Sequence, residues 1–252
     1  MKRYASVRKS WNPQEYRIII VGTVRDCAKK LQNSLPDVIR LAKEFEQYKI
    51  ILYENDSKDN TIKVINKFSN DITLISEKNI RGNRPERIAH GRNILVNEVR
   101  KKYNNYDFMI MMDLDYNPPS ILKSLRDVIE KIPNHWGAAT AVNRYGYYDW
   151  WALRCSELGL NYDCWNVPKD QLGRIGCPAW GNFGRELKSK SRKVESAFNG
   201  VGIYRINMIP ADAKYEGRDE NGSPTCEHVS FNKKISNVYI FPELITSTWD
   251  EG

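Results

Sequence analysis

Over the first 142 positions, short unbroken apolar runs alternate with longer stretches in which apolar residues recur every three or four positions. Arg17-Val24 (RIIIVGTV) is apolar and β-branched, the composition of a strand covered on both faces, and it predicts a first strand. Leu31, Leu35, Val38, Ile39, Ala42 and Phe45 then follow at helical spacing. Lys49-Tyr53 predicts a second strand ending in Glu54-Asn55-Asp56-Ser57, after which Asp59 or Asn60 can cap a helix to Phe68. Asp71-Ile75 predicts a third strand. Asn83, Pro85 and Glu86 open a longer helix to Lys102, since Pro fits the first turn and an acid suits the positive helix end. Phe108-Met112 predicts a fourth strand. Pro118-Pro119-Ser120 opens a helix with Ile121, Leu122, Leu125, Val128, Ile129 and Ile132 inward, and Gly137-Val142 predicts a fifth strand. This order implies an α/β fold, a mainly parallel sheet flanked by helices, with ligands at the carboxyl ends of its strands.

The rhythm fails between Arg144 and Val194. This stretch carries Trp150, Trp151, Trp165 and Trp180 among Gly and Pro, and so long an irregular segment in a compact domain reads as a binding loop or lid. Beyond it, Phe198-Ile206 predicts a strand, Thr225-Ile235 a short helix, and Val238-Phe241 a last strand that the following Pro242 places at an edge.

Composition narrows the class. A chain of 252 residues, 41% hydrophobic and 28% charged, has globular proportions and is neither disordered nor fibrous. No apolar run approaches the roughly 20 residues of a membrane helix, and Met1-Ser10 has basic residues without a hydrophobic region behind them. A soluble chain without a signal peptide or transmembrane segment is expected. Thirty-nine Lys and Arg against 31 Asp and Glu leave a net charge of +8, which suits a protein that meets anions or a plain solvated basic surface. Cys27, Cys155, Cys164, Cys177 and Cys226 form no CxxC pair, which favours a reducing, cytoplasmic compartment; a Cys155–Cys164 pair is the alternative in an oxidising one.

Candidate chemistry collects at strand ends. Asp113-Leu114-Asp115 directly follows FMIMM, and residues i and i+2 of an extended chain point the same way, so both carboxylates can face one divalent cation. Arg92 falls on the inward stripe of its helix with Ile88, Leu95, Val96 and Val99, where a guanidinium must find a carboxylate or a phosphate. Glu54, Asn55 and Asp56 end the second strand, and Thr23 with Arg25 ends the first, so polar groups gather where a nucleotide would lie; an ordinary Asx turn at Asp56-Ser57 is the bland alternative. Glu227 and His228 sit at a helix start, as a carboxylate able to act as a base and an imidazole suited to Mn²⁺-type ions or to a structural role. There is no GxGxxG, no phosphate loop and no nucleophile elbow.

Taken in order, IIIVGTVRD, YENDSKDNT, RPERIAHGRNIL, YDFMIMMDLDYNPPSIL, GAATAVNRYGYYDWWALR and FNGVGIYRI…CEHVSFN resemble the GT-A glycosyltransferases. The resemblance is to the fungal Golgi α-mannosyltransferases that extend mannan and the related capsule-associated α-1,3-mannosyltransferases. It spans Ile18 to Ile235 with long gaps. It implies nucleotide-sugar contacts at Thr23, Arg25, Glu54 and Asp56, a diphosphate contact from Arg92, and Mn²⁺ or Mg²⁺ on Asp113, Asp115 and His228. The expectation is a single GT-A domain over 1–252, with a nucleotide-sugar-binding half at 17–142 and an acceptor half at 143–252. The donor would be a nucleoside-diphosphate sugar and the acceptor a glycan or other hydroxyl; nucleic acid is not an expected partner. An oxocarbenium-like state needs a carboxylate or amide nearby, and Glu227, Asp149 and Asn199 are the candidates. Trp150, Trp151 and Trp180 could stack on acceptor sugars or pack a core. A nucleotidyltransferase acting on sugar phosphates would need glycines that Val21-Gly22-Thr23-Val24-Arg25 lacks, and a non-catalytic polyanion binder would not need two acids at a strand end.

Overall fold

A computed structural model describes residues 12–114, 121–131, 135–143, 147–161, 163 and 189–246. Asp115, Trp165, Trp180, Cys164, Cys177 and Pro118-Pro119-Ser120 lie outside the described residues. The strands are β1 (Arg17–Val24), β2 (Gln47–Asn55), β3 (Ile72–Glu77), β4 (Phe108–Met112), β5 (Ala138–Asn143), β6 (Arg192–Val194), β7 (Val201–Arg205) and β8 (Val238–Thr246). The α-helices are α1 (Ala28–Ala42), α2 (Thr61–Asn66), α3 (Arg84–Lys102), α4 (Ile121–Lys131) and α5 (Glu227–Asn232). One sheet runs β3-β2-β1-β4-β7-β5-β8-β6. Pairs β1–β2, β1–β4, β2–β3 and β5–β8 are parallel; β7 enters antiparallel between β4 and β5, and β6 antiparallel beside β8. The sheet is thus mainly parallel, and helices flank it.

The sheet divides the core in two. Ile19 and Val21 of β1 face a cluster with Leu95, Val96 and Val99 of α3 and Phe231 of α5. Ile18 and Ile20 face the opposite cluster with Leu31, Leu35 and Val38 of α1 and Leu125 and Val128 of α4. These β1 side chains are fully buried, each worth about 1.5–3 kcal/mol of apolar burial, which is why the run carries no polar alternation. Strand order reverses beside β1, with β2 on one side and β4 on the other, and a doubly wound sheet opens a crevice at such a point.

Loops at that carboxyl edge are stitched together by side chains. Asp26, Asp56 and Asn79 all hold left-handed backbone, with φ of 49°, 55° and 62°. Asp26 accepts from the Lys58 N–H at 2.6 Å, Asp59 from the Ala28 N–H at 3.0 Å, and Asp56 from the Asn79 and Ile80 N–H groups at 2.6 and 3.1 Å. The first three strand ends form one platform.

Two expectations are corrected. The final strand runs to Thr246 and lies between β5 and β6, not at an edge. Pro242 is accommodated because the β5–β8 register shifts between the pairs Thr140–Ile240 and Val142–Ile245, and β6 pairing reaches only Ile240. The strand expected from Phe198 starts at Val201, since Asn199 and Gly200 turn left-handed, at φ 60° and 89°. Among the described residues, Cys27, Cys155 and Cys226 carry free thiols, and no helix is long and apolar enough to cross a membrane.

Candidate active site

The site is built from α3 outward. Asn83 caps the helix reciprocally with Glu86, accepting from the Glu86 N–H at 3.0 Å while the Glu86 carboxylate accepts from the Asn83 N–H at 2.9 Å. Gly91 lets α3 settle on the sheet, because any Cβ there would overlap the Tyr53 ring and come within 3.0 Å of Thr23 Cγ2. That close approach carries Arg92, 4% exposed, into the crevice. Its Nη2 donates to Asp113 Oδ1 at 3.0 Å, and its Nη1 meets both Glu227 Oε1 and His228 Nε2. The guanidinium therefore finds carboxylates within the chain, and three distant segments converge on it. The Phe198 ring lies beneath it at 4.8 Å and stacks on the His228 imidazole at 3.7 Å between centroids.

Burial, followed by the neighbouring Arg92 charge, pushes the His228 pKa well below the ordinary imidazole range. The neutral ring accepts from Arg92 at Nε2, which leaves its proton on Nδ1, a buried atom with no partner among the described residues. Asp113 is fixed through its backbone, whose N–H donates to the Gly200 carbonyl at 2.9 Å, and the next carbonyl, Leu114, accepts from the Ser34 hydroxyl at 2.7 Å.

Asp149 faces the same crevice. Its Oδ2 accepts from the Asn199 N–H at 3.2 Å and its Oδ1 from the Ala152 N–H at 3.3 Å. Desolvation lifts its carboxyl to about pKa 6 against the Asn199 hydrogen bond, and the Glu227 charge adds to the rise. Asn199, fully buried, accepts on Oδ1 from the Tyr148 and Asp149 N–H groups at 3.0 and 3.3 Å, so it positions Asp149.

A cavity of about 680 Å³ opens here, lined by Thr23, Arg25, Arg92, Asp113, Asp149, Trp151, Glu227 and His228 among others. Sequence reasoning named all eight. Glu54 and Asp56 are not on its wall: Glu54 accepts from the Ser57 N–H and Ser76 hydroxyl at 2.7 and 2.6 Å, so both carboxylates build the platform. Trp150 is buried against Tyr147, ring centroids 5.6 Å apart, while Trp151 stays 38% exposed at the cavity. Among the described residues no group of three or more His, Cys, Asp or Glu forms a metal-binding cluster. Asp113 and His228 instead meet across Arg92, and Asp115 lies outside the described residues. Asn55, named with the second strand end, also lines the cavity, as do Arg84, Arg87 and Phe198, which were missed as site residues. The arginines left a signal, since Arg84, Ile88 and Arg92 follow the helical period on one face.

The fold is that of the GT-A glycosyltransferases. A mannosyltransferase from Pyrobaculum calidifontis, in complex with GDP-Man and Mn²⁺, superposes with a TM-score of 0.56 at 10% identity over 95% of this chain. TarS 1-349 from S. aureus in complex with UDP gives 0.55 at 12% identity over 92%, and a mycobacterial protein gives 0.55 at 11% over 97%. The chain spans 57% of the mannosyltransferase, 60% of the TarS chain and 74% of the mycobacterial protein. No protein-family model matches the sequence, and no curated protein matches it significantly.

Proposed function

We propose that the chain is a metal-dependent glycosyltransferase that moves a sugar from a nucleoside-diphosphate sugar to a glycan or other hydroxyl acceptor. The observation that carries this reading is the convergence of Asp113, Glu227, His228 and Asp149 around one buried arginine at the switch point of a GT-A sheet. The mannosyltransferase it resembles in fold is in complex with GDP-Man and Mn²⁺, and TarS with UDP-GlcNAc, which supports a nucleotide-sugar donor. The similarity of its motifs to fungal mannan and capsule α-mannosyltransferases favours a mannosyl donor. The cavity wall draws on both 17–142 and 143–252, in keeping with a nucleotide half and an acceptor half of one domain.

A divalent cation fits the donor set: a carboxylate at a strand end, Asp115 two residues beyond it, and an imidazole whose Nε2 carries the lone pair. Asp113, Asp115 and His228, the last through Nε2 in place of Arg92, would hold Mn²⁺ or Mg²⁺, whose charge offsets that of a departing diphosphate. Thr23 and Arg25 line the wall where the nucleotide would lie, and Arg25 can share the diphosphate charge. Arg92 holds Asp113 and Glu227 in place through its ion pairs. Asp149 has no cation in hydrogen-bond contact among the described residues and is the carboxylate that accepts the acceptor's hydroxyl proton; Asn199 positions it and Trp151 offers a face to the acceptor sugar.

The test is hydrolysis and transfer with a panel of GDP- and UDP-sugars, with and without Mn²⁺. Turnover should require the metal and vanish in EDTA and in Asp113→Asn. Unchanged turnover in EDTA would remove the metal from the reading, and no turnover with any donor would sink the reading itself.

A further inference from the structure

Charge is segregated along the wall of this cavity. At its inner end Arg92 is outnumbered by Asp113, Glu227 and Asp149. Towards the start of α3 the balance reverses. Arg84 and Arg87 line the same cavity. Arg84 is exposed and has no acidic partner among the described residues; Arg87 donates only to the Gly82 carbonyl. The nearby acids are committed elsewhere. Glu86 caps α3 and holds Arg218 at 2.7 Å, and Glu77 accepts from Tyr53 and meets His90, at 2.8 and 2.6 Å. Lys78 and Arg81 add two more cations to the loop that leads into α3. The same wall also holds a buried donor without a partner among the described residues, Arg92 Nε.

The eight residues from Arg84 to Arg92 correspond to about 12 Å along the helix. The donor of the proposed reaction carries its anionic group at the diphosphate, and that group belongs beside Asp113, at the inner end. Its nucleoside is uncharged and gives a pair of guanidinium groups nothing to neutralise. An oxyanion on the other substrate would give this pair of arginines its partner. We infer that Arg84 and Arg87 form a subsite for a phosphate or carboxylate group on the acceptor, so that the enzyme glycosylates anionic hydroxyl compounds. This rests on the glycosyltransferase reading above and goes beyond it by naming the chemical class of the acceptor. Arginine suits the role because its planar fork matches either oxyanion with two parallel hydrogen bonds.

The experiment titrates inorganic phosphate, and separately acetate, by calorimetry into the full chain already saturated with GDP or UDP and Mg²⁺. The loaded wild type should bind at least one of the two anions. The Arg84→Gln/Arg87→Gln double variant, which leaves the Asn83–Glu86 cap untouched, should lose about tenfold or more of that affinity, as expected for the loss of charge-assisted pairs. Its nucleotide affinity should stay within about twofold, a shift of less than about 0.5 kcal/mol. Preference for phosphate over acetate, or the reverse, identifies the acceptor's anionic group. Absence of anion binding by the loaded wild type, or equal binding by the variant, overturns the inference while leaving the donor reading standing. A tenfold loss of nucleotide affinity in the variant also overturns it, because the arginines would then belong to the donor site. Failure of the wild type to bind either nucleotide overturns the donor reading and the inference with it.

Discussion

Replacing Asp149 with Asn should make the protein more stable and inactive, and the gain in stability should depend on pH. Desolvation lifts the carboxyl from the ordinary 3.8 to about 6 in the folded chain. Between these values the folded state holds a proton that the unfolded state has released, so stability falls as pH rises across the window, and the cost is complete above it. A shift of this size corresponds to about 3 kcal/mol near pH 8. Asn avoids that cost, but it cannot accept from both backbone donors that Asp149 serves, those of Asn199 and Ala152. One long hydrogen bond is lost, worth about 1 kcal/mol. The variant should therefore be about 2 kcal/mol more stable than wild type near pH 8, or about 5 °C in Tm, and no more stable near pH 4. Thermal and urea melts of both proteins at the two pH values read this directly. Turnover of the wild type should fall as pH drops through about 6, where Asp149 gains its proton, and the variant should have none at any pH. A variant less stable than wild type near pH 8, or a difference that does not change with pH, would refute the argument that burial sets this carboxyl.

Arg92→Ala should cost about 3–5 kcal/mol in urea melts, because it leaves the Glu227 and Asp113 carboxylates without their shared cation. Arg92→Lys should recover only part of that loss, and a cost below about 1 kcal/mol for the alanine variant would mean that the ion pairs do not organise the site. Gly91→Ala should destabilise by about 1–3 kcal/mol and weaken nucleotide binding as well, since a Cβ there pushes α3 off Tyr53 and Thr23 and moves Arg92 with it; unchanged melting and affinity would contradict the close packing.

Much of the fold was legible because burial on both faces leaves a plain mark. The β1 and β4 runs are covered by helices on both sides, so nearly every position is apolar, and their bounds matched the apolar runs. The start of α3 was readable from Asn83, Pro85 and Glu86, since capping is a local exchange of hydrogen bonds between neighbours in the chain. Arg92 was legible as an anomaly, a charge on an apolar stripe, but its partners were not, because Asp113 and Glu227 lie 21 and 135 positions away.

What the sequence determined by itself was the set of locally encoded parts: strand cores, helix caps, and the acids and arginines placed at strand ends. What only the tertiary structure decided was which of those groups face the cavity. Glu54 and Asp56 looked equivalent to Thr23 and Arg25 as strand-end ligands, yet their carboxylates face backbone N–H groups that stitch the loops together. Trp150 and Trp151 are adjacent in sequence, but one packs in the core and the other stands at the cavity. The antiparallel entry of β7 between β4 and β5 brings Gly200 to Asp113 and Asn199 to Asp149, and no periodicity encodes it. Periodicity reports whether a position is covered. Which partner covers it is settled by packing between segments distant in the chain, where each polar group must find the one neighbour that satisfies it.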